Sequence, residues 1–418
     1  MGWIAEMKII GIVAEYNPFH KGHKYHIEKS LEETGADAVV AVMSGNFVQR
    51  GEPAIVNKNA RARAAVECGA DLVLDLPVAY SLSSAEMFAL GSVGILNATG
   101  VIDYLCFGSE SGSVKDIAKV ADFLSDENYD YKVALRNTLD NGKSYAAASF
   151  EALRRTYGDS GLIDELANSN NILAIEYIKS LKKIKSSIIP VAIKRVCNDY
   201  AGTCMTGEIS SATAIRETII SSGIETVKQS ISNASETIIN NEFSIGRGPV
   251  SMKSFEDILL WSIRSKTSSE IAMINGVNEG IEFRLKDAAE RVGGIDELIE
   301  SVKTRRYSES FIKRLIFNII FAITKDDFDV FRSMNNPGYI KVLDFNERGK
   351  EILARIKKNS NIPVITKTSK LRDIDNYAVK RLVEINQKAS DLYVLGYQNK
   401  SYKFGGQEFT TNNIDYKK

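Results

Sequence analysis

All three histidines of the chain lie within the short segment NPFHKGHKYH, at His20, His23 and His26. Imidazole titrates near neutral pH, binds metal ions and donates hydrogen bonds to phosphate oxygens. The cluster therefore has three competing interpretations: a metal site, a phosphate-binding loop, or a chance grouping of a rare residue. The sequence on either side of the segment helps to distinguish them.

The segment follows an apolar run, KIIGIV at 8–13, which is typical of a strand buried on both faces. Apolar residues at helical spacing then predict a helix over about 22–33, with Gly35 after its last turn. Pro18 is expected to end the strand, and Gly22 lets the backbone pass close to a ligand. The unpaired N–H groups of this helix face the carboxyl end of the strand, where open α/β sheets bind ligands.

In this arrangement His20 lies in the loop and His23 in the first helical turn, so both imidazoles can converge on one phosphate. They can donate hydrogen bonds to oxygens that gain charge when a phosphorus centre is attacked. His26 is nearly one turn further on, and it either packs under the helix or is partly solvated. We predict no metal site, because His20 precedes the helix and only Glu15 offers a further ligand nearby.

The rest of the first half alternates strands with helices, which predicts βαβ units and a parallel sheet. Strands are predicted at 37–43, 71–76, 103–108 and 187–196, and helices at 60–69, 84–100 and 210–223, with a mainly helical stretch over 114–185.

Beyond residue 224 most apolar residues recur at helical spacing. Helices are predicted at 253–266, 279–291, 295–303, 308–324 and 373–389, and short strands at 362–368 and 391–397. We therefore expect an α/β catalytic domain over 1–223 and a mainly helical domain with a small mixed α/β end over 224–418.

The composition is that of an ordinary globular protein, with 418 residues and a formal net charge of zero. A surface that binds nucleic acid must therefore be local. The four cysteines (Cys68, Cys106, Cys197 and Cys204) form no C-x-x-C pair, which predicts reduced thiols and a cytoplasmic protein. No apolar run reaches the roughly 18 residues of a membrane helix, so we expect no membrane partner.

Two segments resemble motifs of the nucleotidyltransferase superfamily, whose members attack the α-phosphate of ATP. NPFHKGH resembles the H-x-G-H signature, and ISSATAIRE at 209–217 resembles the later Ser-Ser/Thr-x-x-x-Arg motif. By that resemblance Ser210, Ser211, Thr213 and Arg216 grip the outer phosphates of ATP. Taken alone, the second segment is equally a Ser/Thr-capped helix with a solvated arginine.

A fuller set of segments resembles the tRNA(Met) cytidine acetate ligase family, in this order along the chain: GIVAEYNPFHKGH, VMSGNFVQRGEPAI, GADLVLDLP, FGSESG, NNILAIEYIK and SSATAIRE. The resemblance implies a Rossmann-like nucleotidyltransferase sheet with a second helical domain. It implies that ATP and acetate form acetyl-adenylate, and that the acetyl group passes to N4 of the wobble cytidine of elongator tRNA(Met). One departure is Asn57-Lys58, where the family usually has Asp-Lys, and this puts a role for a carboxylate there in doubt.

The resemblance also implies site residues. The implied catalytic residues are His20, His23 and Arg216. ATP is expected to bind together with Mg²⁺, and the residues implied to bind ATP are Val13, Ala14, Glu15, Tyr16, Asn17, Pro18, Phe19, His20, Lys21, Gly22, His23, Lys24, Tyr25, His26, Gly108, Asn170, Asn171, Arg195, Ser211 and Thr213. The resemblance does not choose between Asn170 and Asn171, and an Asn pair before a helix is also an ordinary N-cap.

The loop MSGNFVQRG after the second strand offers neutral donors and one cation, which suit a small carboxylate such as acetate. The candidates are Ser44, Asn46, Gln49 and Arg50, although Ser-Gly-Asn is also common in plain turns. Acetate is already ionised, so its attack on ATP needs no base. Transfer to cytidine does need one, and Glu15 is our hypothesis for it.

Basic clusters at 179–185, 303–307, 311–315, 355–358 and 367–372 are candidates for contact with the tRNA backbone. Reversal of Arg305 and Arg306 to Glu is expected to weaken tRNA binding. We expect no DNA partner. Two other functions fit parts of the sequence: an adenylyltransferase acting on a small phosphorylated substrate, and a non-catalytic RNA-binding protein. The long helical half argues against the first.

Overall fold

The computed structural model describes residues 7–126, 128–195 and 211–410. Ser210, Cys197 and Cys204, which the sequence analysis singled out, lie outside the described residues.

A seven-stranded sheet forms the centre of the described protein, in the order β7-β6-β1-β2-β5-β8-β9. A separate two-stranded hairpin is made by β3 and β4. The strands are β1 Ile9–Ala14, β2 Ala38–Ser44, β3 Phe47–Val48, β4 Glu52–Pro53, β5 Leu72–Leu76, β6 Tyr104–Ser109, β7 Ile189–Lys194, β8 Ile340–Phe345 and β9 Val364–Ile365.

The predicted parallel sheet is confirmed for five strands of the first half. β1 pairs in parallel with β2 and β6, β2 with β5, and β6 with β7. β1 ends at Ala14, four residues before Pro18, so the prediction that Pro18 ends the strand is wrong. The strand stops earlier because Tyr16 has a left-handed backbone, with φ of 47°.

Two strands of the second half extend the same sheet, and one of them was not predicted. β8 runs antiparallel to β5, and β9 is parallel to β8. The fold is thus α/β with a mostly parallel sheet and one antiparallel pairing. The division at 223/224 stays a prediction, since the sheet itself continues across it.

Apart from the short α3, which was not predicted, the helices of the first half match the predicted segments to within a few residues. They are α1 Lys21–Thr34, α2 Lys58–Glu67, α3 Val78–Ser81, α4 Ala85–Ala98, α5 Val114–Ser125, α6 Tyr129–Asp140, α7 Tyr145–Thr156, α8 Ser160–Leu166, α9 Ser169–Lys183 and α10 Ala212–Ser222. Gly35 follows α1 in the left-handed conformation, as a glycine at this position predicts.

The second half is mainly helical, as predicted. Its helices are α11 Asn233–Ser244, α12 Glu256–Arg264, α13 Ser268–Ala272, α14 Ile281–Arg291, α15 Ile295–Val302, α16 Glu309–Phe321, α17 Lys325–Ser333, α18 Glu347–Asn359, α19 Tyr377–Leu395 and α20 Gln407–Thr410. The strand predicted at 391–397 is wrong, because α19 continues through most of it. None of these described helices has the length and apolar character needed to span a bilayer.

Side chains of the central strands alternate between the two faces of the sheet, so each face has its own core. Val40, Val42 and Leu74 belong to a large cluster that continues into the helices of the second half. Val39 and Val73 belong to a smaller cluster under α1 and α2. The packing therefore fixes the carboxyl edge of the sheet, where the histidine segment emerges, against helices from both halves.

Candidate active site

The two predicted histidines cap the helix that follows β1. His20 is the N-cap residue of α1, and its Nδ1 accepts a hydrogen bond of 3.0 Å from the Gly22 backbone N–H. In return, the His20 backbone N–H donates to Nδ1 of His23 at 3.3 Å. This reciprocal pair is a capping box built from imidazoles, a role that Ser, Thr, Asp or Glu usually fills.

The capping box also fixes where the ring protons are. A neutral imidazole carries one N–H, and a nitrogen that accepts a hydrogen bond is the one without it. Because both Nδ1 atoms accept, His20 and His23 each carry the proton on Nε2. Their rings are stacked, with centroids 3.8 Å apart and planes at 27°. Both rings can therefore donate from Nε2–H, and the expectation that they serve one phosphate site stays a prediction.

All three histidines are held neutral. Burial, and then the charges of Arg195 and Arg216, lower the pKa of His20 to about 3. Burial and the neighbouring histidines place the pKa of His23 well below its ordinary value, and burial and Arg195 lower that of His26 to about 4. Nε2 of His26 is buried and has no hydrogen-bond partner among the described residues.

The second motif reaches the same loop. Ser211 is the N-cap of α10, with its Oγ accepting from the Ala214 backbone at 3.1 Å. One turn on, Arg216 donates to the backbone oxygen of Asn17 at 2.9 Å and to Glu52 at 3.2 Å. Thr213 accepts from the same guanidinium at 3.4 Å. The structure therefore joins two motifs that lie almost two hundred positions apart in the chain, and the solvated-arginine alternative is wrong.

A third group lies at the ends of β6 and β7. Arg195 donates to Oδ1 of Asn170 at 3.3 Å, and Nδ2 of Asn170 donates to Glu110 at 2.5 Å. Gly108 lies beside Arg195, where an added Cβ would make only ordinary contact, 3.4 Å from Cγ of the arginine. The missing side chain thus leaves room at the strand end rather than relieving a clash within the protein.

The two neighbouring asparagines have different surroundings. Asn171 is fully buried, and its Oδ1 accepts from the Ser109 hydroxyl at 2.7 Å and from the Glu110 backbone at 3.1 Å. Asn170 is only partly buried and faces Arg195. The N-cap alternative is wrong for both, because Asn168 precedes α9 and both residues lie in its first turn.

The four residues predicted to hold acetate contact different parts of the protein. Ser44 is fully buried, and its hydroxyl has no partner among the described residues. Oδ1 of Asn46 accepts from the Lys58 backbone at 2.8 Å. The Gln49 side chain donates to Ser83 at 3.4 Å, and Arg50 is exposed. Their common acetate site stays a prediction.

Glu15 is a partly buried carboxyl group that contacts the loop after β2. Its Oε1 accepts from the Gln49 backbone N–H at 2.8 Å. Burial raises its pKa, although that hydrogen bond and the charges of Arg216, Arg50 and Arg61 act in the opposite direction. A carboxyl group with a raised pKa can act as a proton acceptor near neutral pH.

Asn57, where the family usually has Asp, has a structural role at the start of α2. It is the N-cap of α2, and its Oδ1 accepts from the Asn59 and Ala60 backbones at 3.0 Å. Its Nδ2 donates to Glu242 at 2.7 Å. An Asp could cap the helix equally well, but it would set a second carboxylate against Glu242.

Sequence reasoning missed Arg61, which is only 1% exposed. It donates to the backbone oxygens of Val56 at 3.2 Å, Ser44 at 3.1 Å and Glu15 at 2.5 Å, and so ties three loops together at the carboxyl edge. Burial lowers its pKa to about 10. The only sequence signal was an arginine among the alanines of ARARAA, which also suits a solvated helix face.

The site offers hydrogen-bond donors for phosphate, but its described residues form no cluster of metal ligands. Among residues 7–126, 128–195 and 211–410, no group of three or more His, Cys, Asp and Glu side chains is placed to hold a metal ion. The arrangement instead offers two neutral imidazole donors, Arg195 and Arg216 beside the end of β1. This set suits a triphosphate whose α-phosphorus is attacked while the outer phosphates are held.

Comparison with known proteins agrees with this chemistry. The family model described as HIGH Nucleotidyl Transferase matches residues 7–408. A tRNA(Met) cytidine acetate ligase of Acetivibrio thermocellus is 46% identical over 413 residues, covering 98% of this chain and 100% of that protein. A protein of the same name from Caldanaerobacter subterraneus subsp. tengcongensis is 44% identical, covering 94% of this chain and 96% of that protein.

A solved structure is similar over its whole length. The crystal structure of Thermotoga maritima TmcAL bound with alpha-thio ATP has a TM-score of 0.92 at 35% identity, covering 98% of this chain and 99% of that one.

Proposed function

Because this chain belongs to the HIGH nucleotidyl transferase family and, within it, to the tRNA(Met) cytidine acetate ligases, we propose that it activates acetate with ATP and acetylates N4 of the wobble cytidine of elongator tRNA(Met). It is an ATP-dependent ligase with a nucleotidyltransferase fold. The observation that carries the proposal is the pair of stacked, neutral histidines at the start of α1, in a segment whose Asn17 backbone oxygen accepts a hydrogen bond from the arginine of the second motif.

In the first step an acetate oxygen attacks the α-phosphorus of ATP, and the bond to the bridging oxygen of pyrophosphate breaks. His20 and His23 donate Nε2–H to the oxygens on which charge grows. Both rings are already neutral donors at pH 7, so no proton has to move in this step. Arg216, with the hydroxyls of Ser211 and Thr213, holds the leaving pyrophosphate.

We propose that Mg²⁺ accompanies ATP, and when bound it would neutralise part of the negative charge of the phosphates. Glu15 and Glu52, which contact Gln49 and Arg216, are the carboxylates that would be available to hold it. The remaining predicted ATP residues of the segment 13–26, together with Gly108, Asn170 and Arg195, enclose the nucleoside. Asn170 is the better candidate of the asparagine pair, because Asn171 is fully buried and already bonded.

In the second step the N4 amine attacks the acetyl carbon, the bond from that carbon to the phosphate oxygen breaks, and AMP leaves. The amine is a poor nucleophile and must lose a proton. We propose Glu15 as the acceptor, supported by its raised pKa. Ser44, Asn46, Gln49 and Arg50 remain the proposed surroundings of the acetyl group.

We propose that tRNA binds to basic residues of the helical half and that the enzyme works in the cytoplasm. Arg305 and Arg306 follow α15, and Arg306 forms an ion pair of 2.5 Å with Glu279. Basic residues of this kind contact the phosphate backbone without reading sequence, and the strength of that contact falls with salt.

The proposal is tested by incubating the protein with ATP, labelled acetate and bulk bacterial tRNA, followed by nucleoside analysis for N4-acetylcytidine. Exchange of label between pyrophosphate and ATP, dependent on acetate and independent of tRNA, is expected for the first half-reaction. Exchange that requires a phosphorylated acceptor instead of acetate would identify a plain adenylyltransferase. ATP binding without turnover on any acid would leave only an RNA-binding role.

A further inference from the structure

The hairpin formed by β3 and β4, here called the 47–53 hairpin, contacts the proposed ATP site on one side. The Gln49 backbone N–H donates to the carboxylate of Glu15 at 2.8 Å. Oε2 of Glu52 accepts from Arg216 at 3.2 Å. The hairpin therefore touches the residue proposed as base and the residue proposed to hold pyrophosphate.

The opposite side of the hairpin is bound to α16, in the helical half of the chain. Arg314 donates to the Gln49 backbone oxygen at 3.0 Å, and Lys313 donates to Oε1 of Glu52 at 2.7 Å. Phe47 is fully buried and packs against Phe317, with ring centroids 4.8 Å apart. Two series of hydrogen bonds thus connect the site with α16. One passes through Gln49 and the other through Glu52.

The hairpin and helix approach as closely as their backbones allow. Gly51 has φ of 80°, and an added Cβ would lie 2.6 Å from both Cβ of Lys313 and the backbone N of Arg314. Only glycine accommodates this conformation and this distance together. The contact is therefore a built interface and not a loose approach of a loop to a helix.

Glu52 shares its charge between two cations that belong to different halves of the chain. Its side chain is 26% exposed, that of Arg216 is 11% exposed and that of Lys313 is 16% exposed. Burial by itself would raise the pKa of Glu52, but Lys313 and Arg216 hold it below its ordinary value. Without Lys313, the carboxylate would stay ionised beside Arg216 and reduce the positive potential offered to phosphate.

We propose that Lys313 is a positioning residue for acetate activation, acting through Glu52 on Arg216. This inference rests on the proposed function and adds to it a role for α16 in the first half-reaction. The competing interpretation of Lys313 is a tRNA contact, because it lies in the basic segment FIKRL. The two interpretations differ in a reaction from which tRNA is absent.

The test is acetate-dependent ATP–pyrophosphate exchange without tRNA, with K313M compared with the wild type. The KM values for ATP and for pyrophosphate are expected to rise by about fivefold or more, while the KM for acetate changes by less than about twofold. K313R should restore most of the loss, since it keeps the charge. The matched control is K388M, which removes a lysine of α19 that is paired with Glu384 at 2.7 Å.

A double variant tests whether Lys313 acts on Arg216 through Glu52. In an E52Q background the carboxylate that Lys313 compensates is gone, so K313M should change the KM for ATP by less than about twofold. Equal KM values for K313M and the wild type would overturn the inference, and so would additive effects of E52Q and K313M. Wild-type protein without acetate-dependent exchange would contradict the proposed function instead, and calorimetric ATP affinities of the same variants would still decide the role of Lys313.

Discussion

His20 uses its two ring nitrogens for two different purposes. Nδ1 caps α1, and this contact leaves the proton on Nε2, where it faces the proposed phosphate. Asparagine caps helices as well as any residue, through a side-chain oxygen that occupies nearly the same place as Nδ1. The structural and the chemical roles of this histidine can therefore be separated by one choice of substitution.

We expect H20N to lower the turnover of acetate-dependent exchange by about a hundredfold or more, the usual loss when one transition-state donor is removed. The free energy of unfolding should change little, because the cap is retained. H20A should lose the donor and also about 1 kcal/mol of cap stability. Exchange kinetics and urea unfolding measure the two effects. An H20N variant with wild-type turnover would remove this histidine from the chemistry.

The buried neutral histidines also make stability depend on pH. Folding lowers the pKa of His26 from its ordinary 6.5 to about 4. The unfolded chain therefore takes up a proton as the pH falls through this window, and the folded chain does not. His26 therefore leaves the free energy of unfolding unchanged above pH 6.5, and below pH 6.5 that free energy falls progressively.

For H26N we expect a shallower fall of unfolding free energy between about pH 6 and 4.5, by about 1.4 kcal/mol per pH unit relative to the wild type. Urea unfolding at several pH values measures the slope. Above pH 7 the slopes of the two proteins should agree, which serves as the internal control. Parallel curves across the acidic window would mean that His26 is protonated in the folded protein.

At this scale the sequence pointed to His20, His23 and Arg216, whose proposed chemistry stays a prediction, but it did not predict how these side chains are held. An H-x-G-H pattern before a helix indicates a ligand, whereas imidazole is not among the usual capping groups, so the capping box had no signal. Arg61 and Glu52 were missed because their partners are backbone oxygens and side chains distant in sequence. Lys313, for instance, is 261 positions from Glu52.

At the scale of elements, the 47–53 hairpin depends on Gly51 for its contact with α16. In G51A the new alanine must adopt a left-handed backbone conformation, and its Cβ must push Lys313 or Arg314 away. We expect a loss of about 2–4 kcal/mol in unfolding free energy, from strain together with overpacking. Turnover in exchange should fall too, because the same hairpin holds Glu15 and Arg216.

G158A is the matched control for G51A. Gly158 has φ of 87°, close to that of Gly51, but an added Cβ meets nothing within 4 Å. It measures the cost of the backbone conformation alone. If urea unfolding gives equal losses for the two variants, the tight contact between hairpin and helix does not contribute to stability, and Lys313 loses its structural link to Glu52 and Arg216.

The elements were predicted best where burial and periodicity agree. β1, β2 and β5 are apolar runs covered on both faces, and their positions followed from the sequence. The segment 391–397 is rich in strand-forming residues, yet it ends α19, because Leu392 and Tyr393 continue the buried stripe of that helix. Tyr393 also donates to the Ala54 backbone oxygen at 2.7 Å. Tertiary packing thus outweighed local β propensity.

On the scale of the whole molecule, a buried group of four charges joins the end of the described chain to the sheet. Lys58 pairs with Asp75 at 2.8 Å and with Glu408 of α20 at 2.9 Å, and Lys341 of β8 contacts both carboxylates. Burial alone would raise the pKa of Glu408, but Lys341 and Lys58 lower it to about 2. The group is neutral in sum only while all four members are present.

We therefore expect E408Q to lower the free energy of unfolding by about 3–5 kcal/mol, because it leaves a buried lysine charge uncompensated. E347Q is the control, since Glu347 has a side chain that is 92% exposed and pairs with Lys350 at only 3.9 Å. Its loss should be below about 1 kcal/mol. Urea unfolding at pH 7 compares them, and similar values would show that the four charges do not act together.

No sequence signal pointed to this group, because its members come from α2, β5, β8 and α20 and meet only after the sheet is complete. The same is true of β8 itself, which no analysis of the first half could anticipate. The sequence did predict a mostly parallel sheet, with a candidate site at its carboxyl edge, and a mainly helical second half. Whether those helices bind RNA is a separate question from whether they support the site.

Arg305 and Arg306 are placed to separate the two roles, because they follow α15 and none of their described contacts reaches the 47–53 hairpin. The R305E/R306E variant should weaken tRNA binding by about tenfold or more at moderate salt and reduce the salt dependence, as the loss of phosphate contacts predicts. Acetate-dependent exchange should stay within about twofold of the wild type. K313M should show the opposite pattern in exchange, although both sites lie in the helical half. If the double arginine variant loses exchange as well, then tRNA binding and acetate activation depend on the same residues of the helical half. The proposed separation of the two roles would then be wrong.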